Sequence, residues 1–348
     1  MIQQMETFKM TKGLRMSKFY HTLLSVLWAG LCLSACAAPA SPAPAAPPTA
    51  TVSVAMPTPV PLTVAPTITA TSTSIPPVPD FKHILIVIFE NKEFGTVVDN
   101  YHMPYFNKLA KSYTLLTQYY AVTHPSLPNY IAMLSGDTYG ITFDCTSCAV
   151  NHQSLPDLIE AGGRTWKTYQ EDMPSACFTG AGAGNYAMKH NPFIYFMPIR
   201  LDAKRCNQDI VPLTQLAADI TAGALPNFMF VTPNLCNDAH DCTVDIADAW
   251  LQNFMGQIMP PLDQEGQPYL IVITWDEGQG NHSCCGLPAS AGGRIATILV
   301  SPQAKSGFQD ATPYSHYSLL KTISAAWGLP YLAHAADAQT ALIVAPWK

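Results

Sequence analysis

Charge is scarce in this chain. Only 12% of its 348 residues are Asp, Glu, Lys or Arg, and 18 basic residues face 24 acidic ones, for a formal charge of −6. A nucleic-acid binder of the basic-patch kind is therefore excluded. Long apolar runs are also scarce. A single segment has membrane-spanning character and it lies at the N-terminus, which excludes a polytopic membrane protein. No internal repeat of about 20–50 residues stands out. Residues 37–79 contain no charged side chain at all, yet hold 12 of the 30 prolines. Such a stretch cannot bury enough apolar surface to offset its ordering entropy. The length alone suggests two domains of about 150 residues, but only residues 81–348 have the composition of a folded core, and they suffice for one large domain.

The N-terminus reads as an address. Lys9, Lys12, Arg15 and Lys18 precede an apolar run from Leu23 to Leu33, the pattern of a secretory signal, with Met16 as an alternative start. The run closes in Leu33-Ser34-Ala35-Cys36, which is similar to a bacterial lipobox. The expected organisation is a lipoprotein signal over 1–36, a Pro/Ala/Thr-rich linker over 37–80 and a globular domain over 81–348. A lipid on Cys36 would hold the domain at a membrane, and the linker would act as an extended spacer. An exported protein, on the cell surface, in the periplasm or secreted, is expected.

Beyond Cys32 and Cys36 there are eight cysteines, an even set that reads as disulfides in an exported chain. Proximity favours Cys145–Cys148 and Cys236–Cys242, with Cys177–Cys206 as a longer loop and Cys284–Cys285 as an unusual adjacent pair. A zinc site built on the CxxC and the Cys-Cys pair is the competing reading.

The folded part opens with His83–Phe89, a continuous apolar run that fits a strand buried on both faces and stops at Glu90-Asn91. Tyr269–Trp275 repeats the pattern and stops at Asp276-Glu277. Residues 227–231 and 294–300 form two further runs, ending near Thr232-Pro233-Asn234 and Ser301-Pro302. Helical patterns lie between them. Ile246, Trp250, Phe254 and Ile258 recur every fourth residue. Ser154 caps a helix that Gly162 stops, and Ser315 caps another ending near Gly328. Alternating strands and helices predict an α/β fold with a mostly parallel central sheet. Ligands in such sheets bind beyond the carboxyl ends of the strands, where Glu90, Asn91, Asp276 and Glu277 fall. Carboxylates gathered there repel one another unless a cation lies between them, and an oxygen-only set suits Mg, Ca or Mn.

Ser126 precedes Leu127-Pro128 and an apolar stretch to Leu134, with Gly136 beyond it. Pro belongs in a first helical turn, so Ser126 lies at or beside an N-cap. Its bland role is capping. Its chemical role would use the free N–H groups and positive dipole end of the helix, which favour an alkoxide and a phosphate. Asn129 could then offer its side-chain amide to a phosphoryl oxygen.

Seven blocks follow one another in register: Glu90-Asn91, residues 124–130 (HPSLPNY), residues 169–174 (YQEDMP), residues 189–192 (KHNP), residues 232–241 (TPNLCNDAHD), residues 274–277 (TWDE) and residues 316–318 (HYS). Together they resemble the phosphoesterase family of secreted acid phosphatases and bacterial phospholipases C, within the alkaline-phosphatase-like superfamily. The likeness is strongest to fungal and mycobacterial secreted acid phosphatases, some of which act on phosphatidylinositol 3-phosphate, and it spans nearly all of 81–348. It implies an alkaline-phosphatase-like sheet with helices on both faces. It also implies a divalent ion (Mg, Ca, Mn or Zn) on Glu90, Asn91, Ser126, Asp276 and Glu277, with Ser126 as nucleophile. His124, His190, His240 with Asp241, and His316 match the histidines around the phosphate. Relatives carry two acids, a glycine-rich turn and Asp-His, where this chain has residues 278–285 (GQGNHSCC), so His282 has no inherited role.

The activity so implied is phosphomonoester hydrolysis through a phosphoserine, with His240 or His316 as general acid and a mildly acidic working range. A phospholipase C-type phosphodiesterase is the near alternative. A solute-binding lipoprotein is the distant one, and it needs no nucleophile.

Overall fold

In a computed structural model, residues 77–348 are described. The signal, lipobox and nearly all of the linker expected from the sequence lie outside them. No helix among the described residues is long and apolar enough to cross a membrane.

In chain order the strands are β1 (His83–Phe89), β2 (Thr114–Tyr120), β3 (Trp166–Gln170), β4 (Gly182–Ala183), β5 (Tyr186–Ala187), β6 (Ile210–Pro212), β7 (Phe228–Thr232), β8 (Tyr269–Trp275), β9 (Arg294–Val300), β10 (Gln309–Asp310) and β11 (Tyr314–Ser315). The central sheet runs β10-β2-β9-β8-β1-β7-β3-β6, with β11 also on β2, while β4 and β5 form a separate hairpin. From β8 to β6 every neighbouring pair is parallel. β9 is antiparallel to both β8 and β2, so β2 again points the same way as β1. Ser301 follows β9 at the sheet edge opposite Glu90, and its hydroxyl donates to the Tyr269 carbonyl at the start of β8.

β1 and β8 are buried along their whole length because both sheet faces are covered. Ile86 is in register with Phe230 and Ile84 with Phe228, and these face one side. Phe228 meets Trp327, and Phe230 meets Tyr130 of the helix Ser126–Ser135. Phe89 points to the other side, where it meets Trp250 of the helix Val244–Glu265, and its neighbour Trp275 meets Phe106 of the helix Pro104–Ser112. Helices on both faces follow.

The Val244–Glu265 helix buries Ala247, Leu251, Phe254, Met255, Ile258 and Leu262. Ile246 is 39% exposed, so the every-fourth-residue stripe drifts off the core, as a 3.6-residue helix requires. The caps at Ser154 and Ser315 are both capping boxes. All four disulfides favoured by spacing are present: Cys145–Cys148, Cys177–Cys206, Cys236–Cys242 and Cys284–Cys285. Their pairing leaves no thiolate for the competing zinc site.

Candidate active site

The carboxyl ends of β8, β1 and β7, three neighbours in the sheet, deliver Asp276-Glu277, Glu90-Asn91 and the loop carrying Asp238 and His240 to one place. β2 delivers the fourth segment, residues 121–125, which leads into Ser126. Asn91 adopts a left-handed backbone (φ 52°), which asparagine tolerates better than most residues. That turn lets its N–H donate to Asp276 Oδ1 at 2.9 Å while its side-chain amide donates to Glu90 Oε2 at 2.9 Å.

Ser126 begins a ten-residue helix that is buried throughout and closed by the left-handed Gly136. Its hydroxyl caps no backbone N–H. Instead it donates to Glu90 Oε2 at 3.0 Å. The hydroxyl and the Glu90 carboxylate therefore share one pocket, with Asp276 beside them. The Leu127 N–H of the same first turn donates to Asp144 Oδ1 at 3.0 Å.

Glu90 is wholly buried. Its Oε1 accepts from the Tyr130 hydroxyl at 2.5 Å. His190 is stacked on the Tyr130 ring and stands between two acids, Nε2 at 3.1 Å from Glu90 Oε1 and Nδ1 at 3.3 Å from Asp238 Oδ2. Burial pushes His190 down to about 3, with Lys189 acting in the same direction, so the ring is neutral and carries one N–H. One of its nitrogens must then turn a lone pair toward a carboxylate. Burial, reinforced by Asp276 and Asp238, raises Glu90 well above the ordinary carboxylate range. Burial likewise raises Asp276, pushes Asp238 to about 7, and, with the adjacent Asp276 charge, pushes Glu277 to about 9.

Three inward atoms have no hydrogen-bond partner: Asp276 Oδ2, Asp238 Oδ2 and His190 Nε2. Glu90, His190 and His240 also bring ligand atoms within 4.8 Å of one another. Crowded anions, a neutral imidazole and orphaned acceptors fit a cation. Beside the oxygen donors read from the sequence, the cluster offers imidazole nitrogen, a donor set that a divalent ion can use.

Other expected site residues occupy different roles. Asn129 is wholly buried, and its amide is spent on the chain before it. Nδ2 donates to the Thr123 and Pro125 carbonyls, while Oδ1 accepts from the Val122 and Thr123 N–H groups. It shapes the loop that presents Ser126, with no N–H left for a phosphoryl oxygen. His316 is also buried. Its Nε2 lies 2.6 Å from the Asp276 carbonyl and its Nδ1 3.3 Å from the Tyr119 hydroxyl, and burial pushes it to about 4. The enclosed ring braces the Asp276 backbone through that carbonyl. His190 lies among the acids.

His124 pairs with Glu277 (2.5 Å) and with the Gly280 carbonyl (3.1 Å). Glu93 accepts from the N–H groups of Gln279, Gly280 and Arg294 and so pins that loop, with His282 3.3 Å from its carboxylate. His240 sits at the rim, its Nδ1 2.6 Å from Asp241. Asp241 itself is exposed, and the acid that reaches the cluster is Asp238. Glu171 clamps the neighbouring loop through Asn234, Asn237 and the Trp250 indole N–H.

Sequence reasoning gave no role to Tyr130, Asp238, Asp144 or Lys189. Asp238 and Lys189 lie inside segments that the sequence singles out. Tyr130 stands four residues after Ser126, the spacing that puts two side chains on one helix face.

Comparison with known proteins places this geometry in context. The model of the phosphoesterase family matches residues 96–330. The chain is similar to the phosphate-repressible acid phosphatase of Penicillium chrysogenum, with 34% identity over 261 residues, 72% of this chain and 60% of that protein. It is similar to the phosphatidylinositol-3-phosphatase of Mycobacterium tuberculosis, with 32% identity over 264 residues, 75% of this chain and 82% of that one. The chain thus spans less than two thirds of the fungal protein's length. Among solved structures, a protein of the alkaline phosphatase superfamily from Vibrio parahaemolyticus superposes with a TM-score of 0.52 at 10% identity, covering 75% of this chain and 71% of that one.

Proposed function

The chain belongs to the phosphoesterase family, and from that membership we propose that it is an exported, metal-dependent phosphatase that hydrolyses phosphomonoesters through a phosphoserine on Ser126. The observation that carries the reading is the 3.0 Å contact between the Ser126 hydroxyl and Glu90 at the head of a buried helix.

Glu90, Asp238, Asp276 and His190 would hold the cation, with Asn91 and Glu277 completing the shell. When bound, such an ion lowers the pKa of a neighbouring hydroxyl and neutralises phosphoryl oxygens. The remaining steps belong to the chain. Ser126 passes its proton toward Glu90 Oε2 and attacks phosphorus. The helix N-terminus favours the charge on the transferring oxygens. The bond to the leaving oxygen breaks, and His240, the rim histidine held by Asp241, gives that oxygen a proton. Water then attacks phosphorus and gives a proton back to His240, the serine–phosphorus bond breaks, and the serine oxygen recovers its proton from Glu90 as phosphate leaves. Four disulfides support export, since such bonds persist in oxidising compartments. The signal, the lipid on Cys36 and the linker complete the proposal as a tether that brings the domain within reach of membrane phosphoinositides.

The test is a substrate panel with the purified protein. p-Nitrophenyl phosphate and phosphatidylinositol 3-phosphate should turn over, and bis-p-nitrophenyl phosphate should turn over far more slowly. The reverse order would support a phospholipase C-type diesterase, and no turnover would leave a solute binder. Ser126→Ala should abolish turnover, and acid quenching of the wild type should trap phosphate on Ser126. Near-normal turnover in the alanine variant would falsify the nucleophile assignment.

A further inference from the structure

The structure sets beside the rim histidine His240 an ammonium that the mechanism above leaves unused. Lys189 Nζ lies 2.9 Å from Asp144 Oδ2 and 3.3 Å from His240 Nε2. Asp144 uses its other oxygen to accept from the Leu127 N–H, one residue after Ser126. A single carboxylate therefore bridges the first turn of the Ser126 helix and the Lys189 ammonium. Two donors spaced to hold two oxygens of one anion are the elements of a phosphoryl-binding site, and here the chain's own carboxylate engages them.

We propose that Lys189 is a specificity-determining residue that recognises the second negative charge of a phosphomonoester and so favours monoesters over diesters. The inference rests on the phosphatase reading of the preceding section. An ammonium has three N–H donors; Asp144 takes one, and His240 Nε2 takes another only while its ring is neutral, so at least one is left for a substrate oxygen. The side chain is 23% exposed, so solvent and small anions can reach it. The ammonium stands one carboxylate away from the first turn of the Ser126 helix. A monoester dianion brings a third non-bridging oxygen with charge to this place. A diester has one charge fewer and an ester group where that oxygen would be. The remaining nearby ammonium, on Lys92, donates to the Ala239 carbonyl.

The experiment compares kcat/KM for p-nitrophenyl phosphate and bis-p-nitrophenyl phosphate in the wild type, Lys189→Met, Lys189→Arg and the double variant Lys189→Met/Asp144→Asn. A hydrogen bond between charged partners sets the scale, so the monoester-to-diester ratio should fall by about 10- to 100-fold in Lys189→Met. Lys189→Arg should recover part of it. The double variant removes the unpaired Asp144 charge as a cause, and its ratio should stay low. Inhibition by inorganic phosphate should weaken by a similar factor, which gives a readout even where diester turnover is slow. An equal loss on both substrates, or recovery of the ratio in the double variant, would overturn the proposal in favour of a structural role. Wild-type protein without any phosphoester turnover would strike the phosphatase reading itself, whereas turnover with an unmoved ratio would strike only Lys189.

Discussion

Tyr130→Phe isolates the hydrogen bond that holds Glu90. The substitution removes one oxygen and keeps the ring. Stacking on His190, at 5.6 Å between centroids and 10° between planes, and contact with Phe230 therefore persist. The loss is the 2.5 Å bond from the hydroxyl to Glu90 Oε1. That bond lowers the pKa of Glu90 against burial and against Asp276 and Asp238. Without it the carboxyl takes a proton more readily. In the cation-free protein the bond then joins two neutral groups and its loss costs about 1 kcal/mol, whereas in the cation-loaded protein the acceptor is a carboxylate and the cost is about 1.5–3 kcal/mol. The difference appears as weaker cation binding, roughly threefold to thirtyfold at about 1.4 kcal/mol per decade. Urea unfolding with and without saturating Mn²⁺ measures the two stabilities, and calorimetric titration measures the affinity. The variant should lose more stability with the ion than without it, at an unchanged m value. Equal losses in both conditions, or a wild-type affinity, would show that Glu90 does not face the cation.

Three further perturbations test other parts of the structure. A Cβ at Gly292 would run into the Thr123 carbonyl oxygen and approach the Ala121 Cβ to 2.8 Å, so Gly292→Ala should cost about 1–3 kcal/mol and also lower kcat by displacing the loop before Ser126; wild-type kcat would refute the coupling. Asp209, the last residue of a helix, is pushed up to about 6 by burial and by Glu160. Its folded form holds a proton more tightly than the unfolded chain, so its contribution is present at low pH and is lost as pH rises from about 4 to 6. After discounting for its half-exposed position, Asp209→Asn should gain about 1 kcal/mol at pH 7.5 and almost nothing at pH 4 in urea unfolding. Chelation should lower Tm by about 10 °C, the effect of removing an ion present at about 1,000 times its Kd, and Mn²⁺ or Zn²⁺ should restore it; an unmoved Tm would count against the cation site.

The parts of the fold that were legible in the sequence are those fixed by continuous apolar runs. β1, β8 and β9 have the expected bounds, because strands covered on both faces leave no room for polar residues. Direction is not written in such a run, and β9 runs the other way. β2 was not recognised because Thr117 and Gln118 interrupt it, at the point where its register with β9 shifts between Leu116 and Tyr119. The residues at the strand ends were legible as a site because two acidic or amide pairs follow two buried strands. Tyr130, Asp238 and Lys189 were not, because their partners lie 40 or more residues away and no local pattern records such a pairing.

The acids are held together by the backbone more than by their own side chains. Phe89 is opposite Trp275 at the end of the β1–β8 ladder, and the next bond continues it, from Asp276 N–H to the Phe89 carbonyl at 2.9 Å. On the other side Glu90 N–H donates to the Asp238 carbonyl, also at 2.9 Å. The sheet's hydrogen bonding thus runs one step past the strands and brings Glu90, Asp238 and Asp276 together from segments almost 150 and 40 residues apart. Buried like charges oppose that closeness, as their raised pKa values record. No side-chain preference would assemble such a cluster unaided. Its persistence requires the ladder on either side and the hydroxyl, amide and peptide donors of Tyr130, Asn91 and His240. A site built this way keeps its acids crowded through backbone hydrogen bonds, which is the condition under which a bound cation gains most from entering.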